Sequence, residues 1–140
     1  MAGIKTFSFP VRIYFEDTDS GGVVYHANYL KFMERARTEW LRTLGIDQRK
    51  LKLHDHIMFV VHRIDIQYKF PARFNDDLVV RSELKKIGSS KIEFRQIIYR
   101  QNEMLIDASV DVACIDSENL NPFVFLPQLN KLWSLYARCK

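Results

Sequence analysis

Hydrophobic and polar positions change their period along this chain, and the changes mark its elements. Residues 9–16 (Phe9-Pro10-Val11-Arg12-Ile13-Tyr14-Phe15-Glu16) alternate and predict a strand, and Asp17 to Gly22 supplies a polar, glycine-bearing turn. From Tyr29 the apolar positions Tyr29, Met33, Ala36, Trp40 and Leu44 recur at three- and four-residue steps, flanked by Leu30, Arg37 and Leu41. Lys31, Glu34, Arg35, Thr38 and Arg42 share the opposite face, which is the spacing of an amphipathic helix. Gly45 suits the left-handed position just past its end, and His26 or Asn28 lies where a start is expected.

Beyond the helix the period falls to two. Met58, Val60, His62, Ile64, Ile66, Tyr68 and Phe70 alternate with Arg63, Asp65, Gln67 and Lys69, predicting a long half-buried strand over 57–70. Three more alternating runs follow at 77–87, 91–100 and 104–115, separated by Gly88-Ser89-Ser90 and Gln101-Asn102-Glu103. Connections this short imply antiparallel hairpins. After Asn121-Pro122, the positions Leu129, Leu132, Trp133 and Tyr136 behind Pro127 predict a short closing helix.

The order is one strand, one long helix and four strands (β-α-β-β-β-β), an α+β domain in which one central helix covers a five-stranded antiparallel sheet. Its 140 residues fit a single domain over 1–140. An outer strand as long as 57–70 invites edge pairing, so a dimer that joins the sheets or buries the edges is expected.

Composition narrows the class. A chain that is 47% hydrophobic with only 5 Gly and 4 Pro is too apolar for disorder and too poor in breakers for a collagen-like repeat. The longest apolar run, Ile57-Met58-Phe59-Val60-Val61, is far shorter than a membrane span, and the N-terminus lacks a signal-peptide core. Cys114 and Cys139, with no C-x-x-C, fit a reducing compartment and exclude a cysteine-based zinc site. A cytoplasmic protein is expected. The 21 basic against 17 acidic residues give a formal +4, but the basic residues are scattered with acids between them, so no nucleic-acid partner is expected.

Candidate chemistry concentrates between the first strand and the helix, where Asp17, Asp19, Gly21 and Gly22 precede a helix start. A helix start offers unpaired N–H groups and about half a positive charge, suited to an oxyanion developing on a bound carbonyl. A carboxylate beside it can attack that carbonyl or draw a proton from water, and glycines let a substrate approach the backbone. Asp-rich turns before helices also serve as caps and Asx-turns, so the pattern alone leaves both readings open.

The string Tyr14-Phe15-Glu16-Asp17-Thr18-Asp19-Ser20-Gly21-Gly22-Val23-Val24-Tyr25-His26-Ala27-Asn28-Tyr29, with Glu34-Arg35-Ala36-Arg37 and later Tyr68-x-x-Pro71-Ala72-Arg73-x-x-Asp76, resembles the hotdog-fold acyl-CoA thioesterases of the 4-hydroxybenzoyl-CoA thioesterase class. It is most similar to their YbgC branch, which is associated with the bacterial Tol–Pal system. The resemblance runs from about Val11 to Pro127 and implies a helix wrapped by an antiparallel sheet, dimers or tetramers built from dimers, and active sites at the subunit interface. By motif position it puts the catalytic carboxylate on Asp19 and, seven residues on, a carbonyl-polarising backbone N–H at His26. The His26 imidazole is a candidate for ordering water or substrate, with a structural role equally compatible. Asp17 is expected to fix the turn. Relatives often carry two tyrosines just before the Glu16 position; here Tyr14-Phe15 removes the second hydroxyl.

The resemblance implies an acyl-CoA thioesterase that uses water to release a carboxylic acid and CoA, with Asp19 as nucleophile or general base and with no redox or metal cofactor. Its substrate would be a short aliphatic or longer acyl-CoA, or an acyl-carrier-protein thioester. Tyr25, Val60, Arg73, Lys85, Lys86 and Lys91 are the candidate substrate-binding residues, the cations for CoA phosphates. The branch resemblance also allows the thioesterase a peripheral association with the inner membrane, without a transmembrane segment. A non-enzymatic acyl-binding or scaffold protein associated with envelope machinery is the alternative. Glu34 is expected on the solvated helix face, His62 on the apolar side of its strand, and Cys114 packed inward; His54-Asp55-His56, in a predicted loop, lacks a clear third ligand and is assigned no metal.

Overall fold

A computed structural model describes residues 6–122. Its elements are β1 (Thr6–Arg12), α1 (Asn28–Thr43), a short α2 (Gln48–Lys50), β2 (Ile57–Tyr68), β3 (Asp77–Ile87), β4 (Lys91–Arg100) and β5 (Glu103–Asp116). All pairings are antiparallel, and the five strands lie in the order β1-β3-β4-β5-β2. The expected α+β architecture, a five-stranded sheet with one long helix across it, is therefore present. The closing helix expected over 127–136 lies outside the described residues. Among the described residues no helix is long and apolar enough to cross a membrane.

Alternation supplies the sheet's inner face: Leu78, Val80 and Leu84 from β3, Ile92, Phe94 and Ile98 from β4, and Ala108, Val110, Val112 and Cys114 from β5 are buried. Charged residues occupy the outer face, where Arg95 makes a two-pronged pair with Asp107 at 3.1 and 2.9 Å and Lys91 approaches Asp111 at 3.6 Å. Helix α1 buries Tyr29, Phe32, Met33, Ala36, Arg37, Trp40 and Leu41. Its first half packs with Val11, Ile13, Val80, Ile98 and Leu105, its second with Ile57, Leu84, Phe94 and Val110, so one helix spans two apolar clusters. The helix ends as its sequence predicts: Gly45 has φ +79°, Ile46 N–H donates to Leu41 O at 2.9 Å and Gly45 N–H to Arg42 O at 3.0 Å.

Three expectations need correction. The first strand stops at Arg12, and Phe15–Asp17 forms a single 3-10 turn because Asp17 Oδ2 accepts the Tyr14 N–H at 2.8 Å and folds the chain away from the sheet. The stretch holding His54-Asp55-His56, predicted as loop, is in part helical: Asp47 accepts the Arg49 and Lys50 N–H groups and caps α2, which runs on into a π-turn at Leu51–Asp55.

The third correction concerns β2, whose phase inverts midway. Phe59 faces Cys114 and Val61 faces Val112, and the register then shifts before Arg63, leaving His62 as the extra residue of a bulge. After the bulge Ile64 and Ile66 face Val110 and Ala108. One added residue exchanges the two faces of the pleat. Ile57, Phe59 and Val61 are therefore the inward residues of the first half, Val60 pairs with Ala113 on the other face, and His62 is exposed. Val60, expected as a substrate-binding position on the helix-covered side, turns away from it.

Candidate active site

The segment between β1 and α1 is a small hairpin pressed against the helix start. Asp19 N–H donates to Val23 O at 2.8 Å, Tyr25 N–H to Asp17 O at 3.0 Å and Gly22 N–H to Asp19 O at 3.0 Å. The tight reversal needs Gly22, at φ +81°, and it needs Gly21, where an added Cβ would lie 3.2 Å from Asp19 Oδ1. A second link ties the hairpin to the segment between β2 and β3: Val24 N–H donates to Ala72 O at 2.9 Å, and Val23 bridges to Arg73. That segment is in turn held by Arg100, whose guanidinium reaches Asp76 at 2.7 Å and Glu103 at 2.6 Å.

Within this frame the two aspartates divide their work. Asp17 is engaged twice over, its side chain by the Tyr14 N–H and its carbonyl by the Tyr25 N–H and by Asn28 Nδ2 at 2.9 Å. It fixes the turn. Asp19 is exposed; its Oδ1 accepts the Gly21 N–H at 2.8 Å, while Oδ2 has no partner among the described residues. One oxygen orients the carboxylate and the other is available for chemistry.

The helix start that follows this turn is left open. Ala27 occupies the cap position without a side-chain hydrogen bond, the first turn contains no acid, and the His26 N–H donates to no group among the described residues. Unpaired donors and the positive end of the helix dipole thus stand at the end of the turn that carries Asp19, which Asp17 O ties to Tyr25 N–H and Asn28 Nδ2. Around them stands an aromatic group. The His26 ring lies 4.5 Å from that of Tyr25 and 6.3 Å from that of Tyr68, and Tyr68 is 5.8 Å from Tyr29. Tyr29 Oη accepts the Ala72 N–H at 3.0 Å, and burial raises the phenol above its ordinary range, as it does for Tyr68, so both hydroxyls are neutral near pH 7.

The remaining expected residues separate. Tyr25 and Arg73 belong to the turn's surroundings, and Arg73 has no acidic partner within 4.0 Å among the described residues. Lys85 and Lys86 lie eight and nine positions into β3 from Asp77, about 26 Å along the strand from the end nearest the turn. Lys91 begins β4 at that same far end and is paired with Asp111. The three lysines are therefore not gathered about Asp19 of their own chain. Cys114 is buried, its thiol pushed up to about 11 by burial, as befits packing.

A cavity of about 150 Å³ lies between α1 and the inner face of β2, β5 and β4. Leu41, Phe59, Val61, Phe94, Ile92 and Val112 form its apolar walls, with Glu34, Arg37, Thr38 and Gln48 on the helical side. Glu34 is exposed as its helix phase predicts, yet it stands on the cavity rim. Phe59 and Val61 escaped detection in the sequence because the bulge hides their phase. Arg37 had a readable signal, a charge flanking the apolar stripe of α1.

Comparison with known proteins shows the family. Residues 21–106 match the thioesterase superfamily. The chain is 48% identical over 119 residues to the acyl-CoA thioesterase YbgC of Haemophilus influenzae, covering 85% of this chain and 88% of that one. It is 42% identical over 117 residues to the acyl-CoA thioester hydrolase YbgC of Escherichia coli, covering 83% and 87%. A probable thioesterase from Bartonella henselae superposes with a TM-score of 0.82 at 32% identity, over 86% of this chain and 99% of that one. The chain belongs to the thioesterase superfamily and, within it, to the YbgC acyl-CoA thioesterases.

Proposed function

We propose that the protein hydrolyses acyl-CoA thioesters to a free acid and CoA, with Asp19 as the catalytic carboxylate and the N–H groups at the start of α1, His26 first, receiving the carbonyl oxygen. The observation that carries this reading is the disposition of Asp19: one oxygen is held by Gly21, the other is unengaged, and the turn that carries it leads into an uncapped helix start. Oδ2 either attacks the carbonyl carbon to give a mixed anhydride and thiolate, or takes a proton from the water that attacks. In both routes negative charge moves to the carbonyl oxygen, where preorganised N–H donors stabilise it. Arg73 is the cation of the turn's own chain suited to a CoA phosphate.

The reading extends to a homodimer with shared sites. The outer edge of β2 pairs with no strand among the described residues. The turn of Asp19 is tied to the C-terminal end of β2 through Tyr68, whereas the cavity opens beside Phe59 and Val61 in the N-terminal half. Two copies pairing antiparallel along β2 by a two-fold axis bring the C-terminal end of one strand beside the N-terminal half of the other. Each Asp19 turn then stands near the partner's cavity, which takes the acyl chain. Membrane association and any link to envelope machinery rest on the family resemblance alone.

The experiment is a panel of acyl-CoA substrates with a thiol-trapping reagent. Release of CoA by the wild type and not by Asp19→Asn is the expected result; equal release by both overturns the assignment of Asp19, and release by neither overturns the hydrolase reading.

A further inference from the structure

The cavity contains a charge that thioester hydrolysis does not require. Arg37 is only 8% exposed, and its Nη1 donates to Gln96 Oε1 at 2.8 Å. Gln96 has no choice of orientation, because its Nε2 donates to Met33 O at 3.0 Å and to Ser82 Oγ at 2.9 Å, so it can offer the guanidinium only a neutral oxygen. No carboxylate lies within 4.0 Å of Arg37 among the described residues; the acid that acts on it is Glu34, exposed on the rim.

A guanidinium has five N–H donors and gives up its charge only far above neutral pH. Burial lowers the Arg37 pKa to about 10, which leaves it a cation under ordinary conditions. No buried side-chain nitrogen among the described residues lacks a hydrogen-bond partner, so the guanidinium nitrogens without one keep some access to solvent, and Arg37 is among the residues that line the cavity. A buried cation facing an apolar-walled cavity is completed by an anion carrying an apolar body. The size sets the body: about 150 Å³ is the volume that admits a six-carbon ring in an apolar protein cavity.

Resting on the reading that this cavity takes the acyl chain, we infer that Arg37 is a specificity-determining residue that favours acyl groups ending in a carboxylate, short dicarboxylic monothioesters of CoA, over unsubstituted chains of equal length. The guanidinium binds the terminal carboxylate, while Leu41, Phe59 and Phe94 cover the methylenes. Glu34, solvated at the rim, opposes an incoming anion weakly because water screens it.

The test compares kcat/KM for adipyl-CoA and hexanoyl-CoA in the wild type, Arg37→Gln and Arg37→Lys. The expected wild-type ratio favours adipyl-CoA by about tenfold or more, Arg37→Gln lowers that ratio at least about tenfold, and Arg37→Lys retains part of it. A purely structural role would depress both substrates together and leave the ratio unmoved. Should Arg37→Gln not fold, competition on the wild type decides: adipate inhibits hydrolysis of hexanoyl-CoA at least about tenfold more strongly than hexanoate does. CoA release from hexanoyl-CoA with no preference for adipyl-CoA, a ratio indifferent to the substitution, or equal inhibition by the two acids overturns the role of Arg37 alone. Absence of CoA release from both thioesters overturns the hydrolase reading instead.

Discussion

The Tyr68 hydroxyl donates to the His26 carbonyl oxygen at 3.1 Å, joining the last residue of β2 to the turn that opens α1. The bond spans the boundary between the sheet edge and the candidate oxyanion site, and it fixes the peptide plane following His26. Tyr68→Phe should lower kcat several-fold while changing stability by no more than about 1 kcal/mol, because the bond is exposed. Stopped-flow turnover and a denaturation midpoint on the same preparation check both halves. A variant with wild-type kcat would show that the bond plays no part in placing the helix start.

Asp19→Asn is expected to reduce kcat by about a hundredfold or more with the fold retained, since the amide keeps the turn's acceptor but supplies neither nucleophile nor base. Asp17→Asn should hurt less, because Asp17 acts through the Tyr14 N–H and its own carbonyl. Steady-state kinetics on the two variants rank them, and the reverse order would place the chemistry one carboxylate off.

Gln96→Leu removes the single neutral partner of Arg37 together with the donors to Met33 O and Ser82 Oγ. Leaving a buried cation without its neutral partner and Ser82 Oγ without its donor, while Met33 O keeps only its bond within the helix, should cost about 2–4 kcal/mol, read as a lower urea midpoint with an unchanged slope. Unaltered stability would mean that water replaces the amide in the core.

Acid stability carries a signature of the outer sheet face. The Arg95 guanidinium hydrogen-bonds Asp107 and holds its carboxyl below the usual range. A carboxyl depressed in the folded state stabilises the fold above its unfolded value, near pH 4, and that contribution is lost as pH falls through the lower folded value. Asp107→Asn should therefore flatten the stability curve below about pH 4 while altering its slope little near neutrality. Equal acid sensitivity in both proteins would assign the loss to other carboxylates.

Much of this was legible in the sequence because local and tertiary preferences coincide. The period of α1 with its Gly45 stop, and the three hairpin-linked strands, needed no knowledge of partners. The Asp17–Asp19 turn was legible as a motif, although the split of roles between the two carboxylates needed the hydrogen bonds. What escaped depends on pairing. The bulge at His62 arises from the register of β2 against β5, and without it Val60 and Phe59 exchange faces. Lys85 and Lys86 are near the turn in composition but far from it along β3. Ser82 and Gln96 interrupt the inward apolar alternation of β3 and β4, a visible trace of the network around Arg37 that only the packed helix explains.

The shared site is the central claim, and subunit mixing tests it most directly. Asp19→Asn lacks the carboxylate, and Thr38→Trp fills the cavity from the half-buried side of α1. Each variant alone should be nearly inactive. When the two are denatured together in equal amounts and refolded, every mixed dimer gains one site that combines an intact Asp19 with the partner's open cavity, and about a quarter of the wild-type activity should return. If mixing restores nothing while sedimentation shows that mixed dimers have formed, Asp19 works with the cavity of its own chain and the shared-site account is wrong.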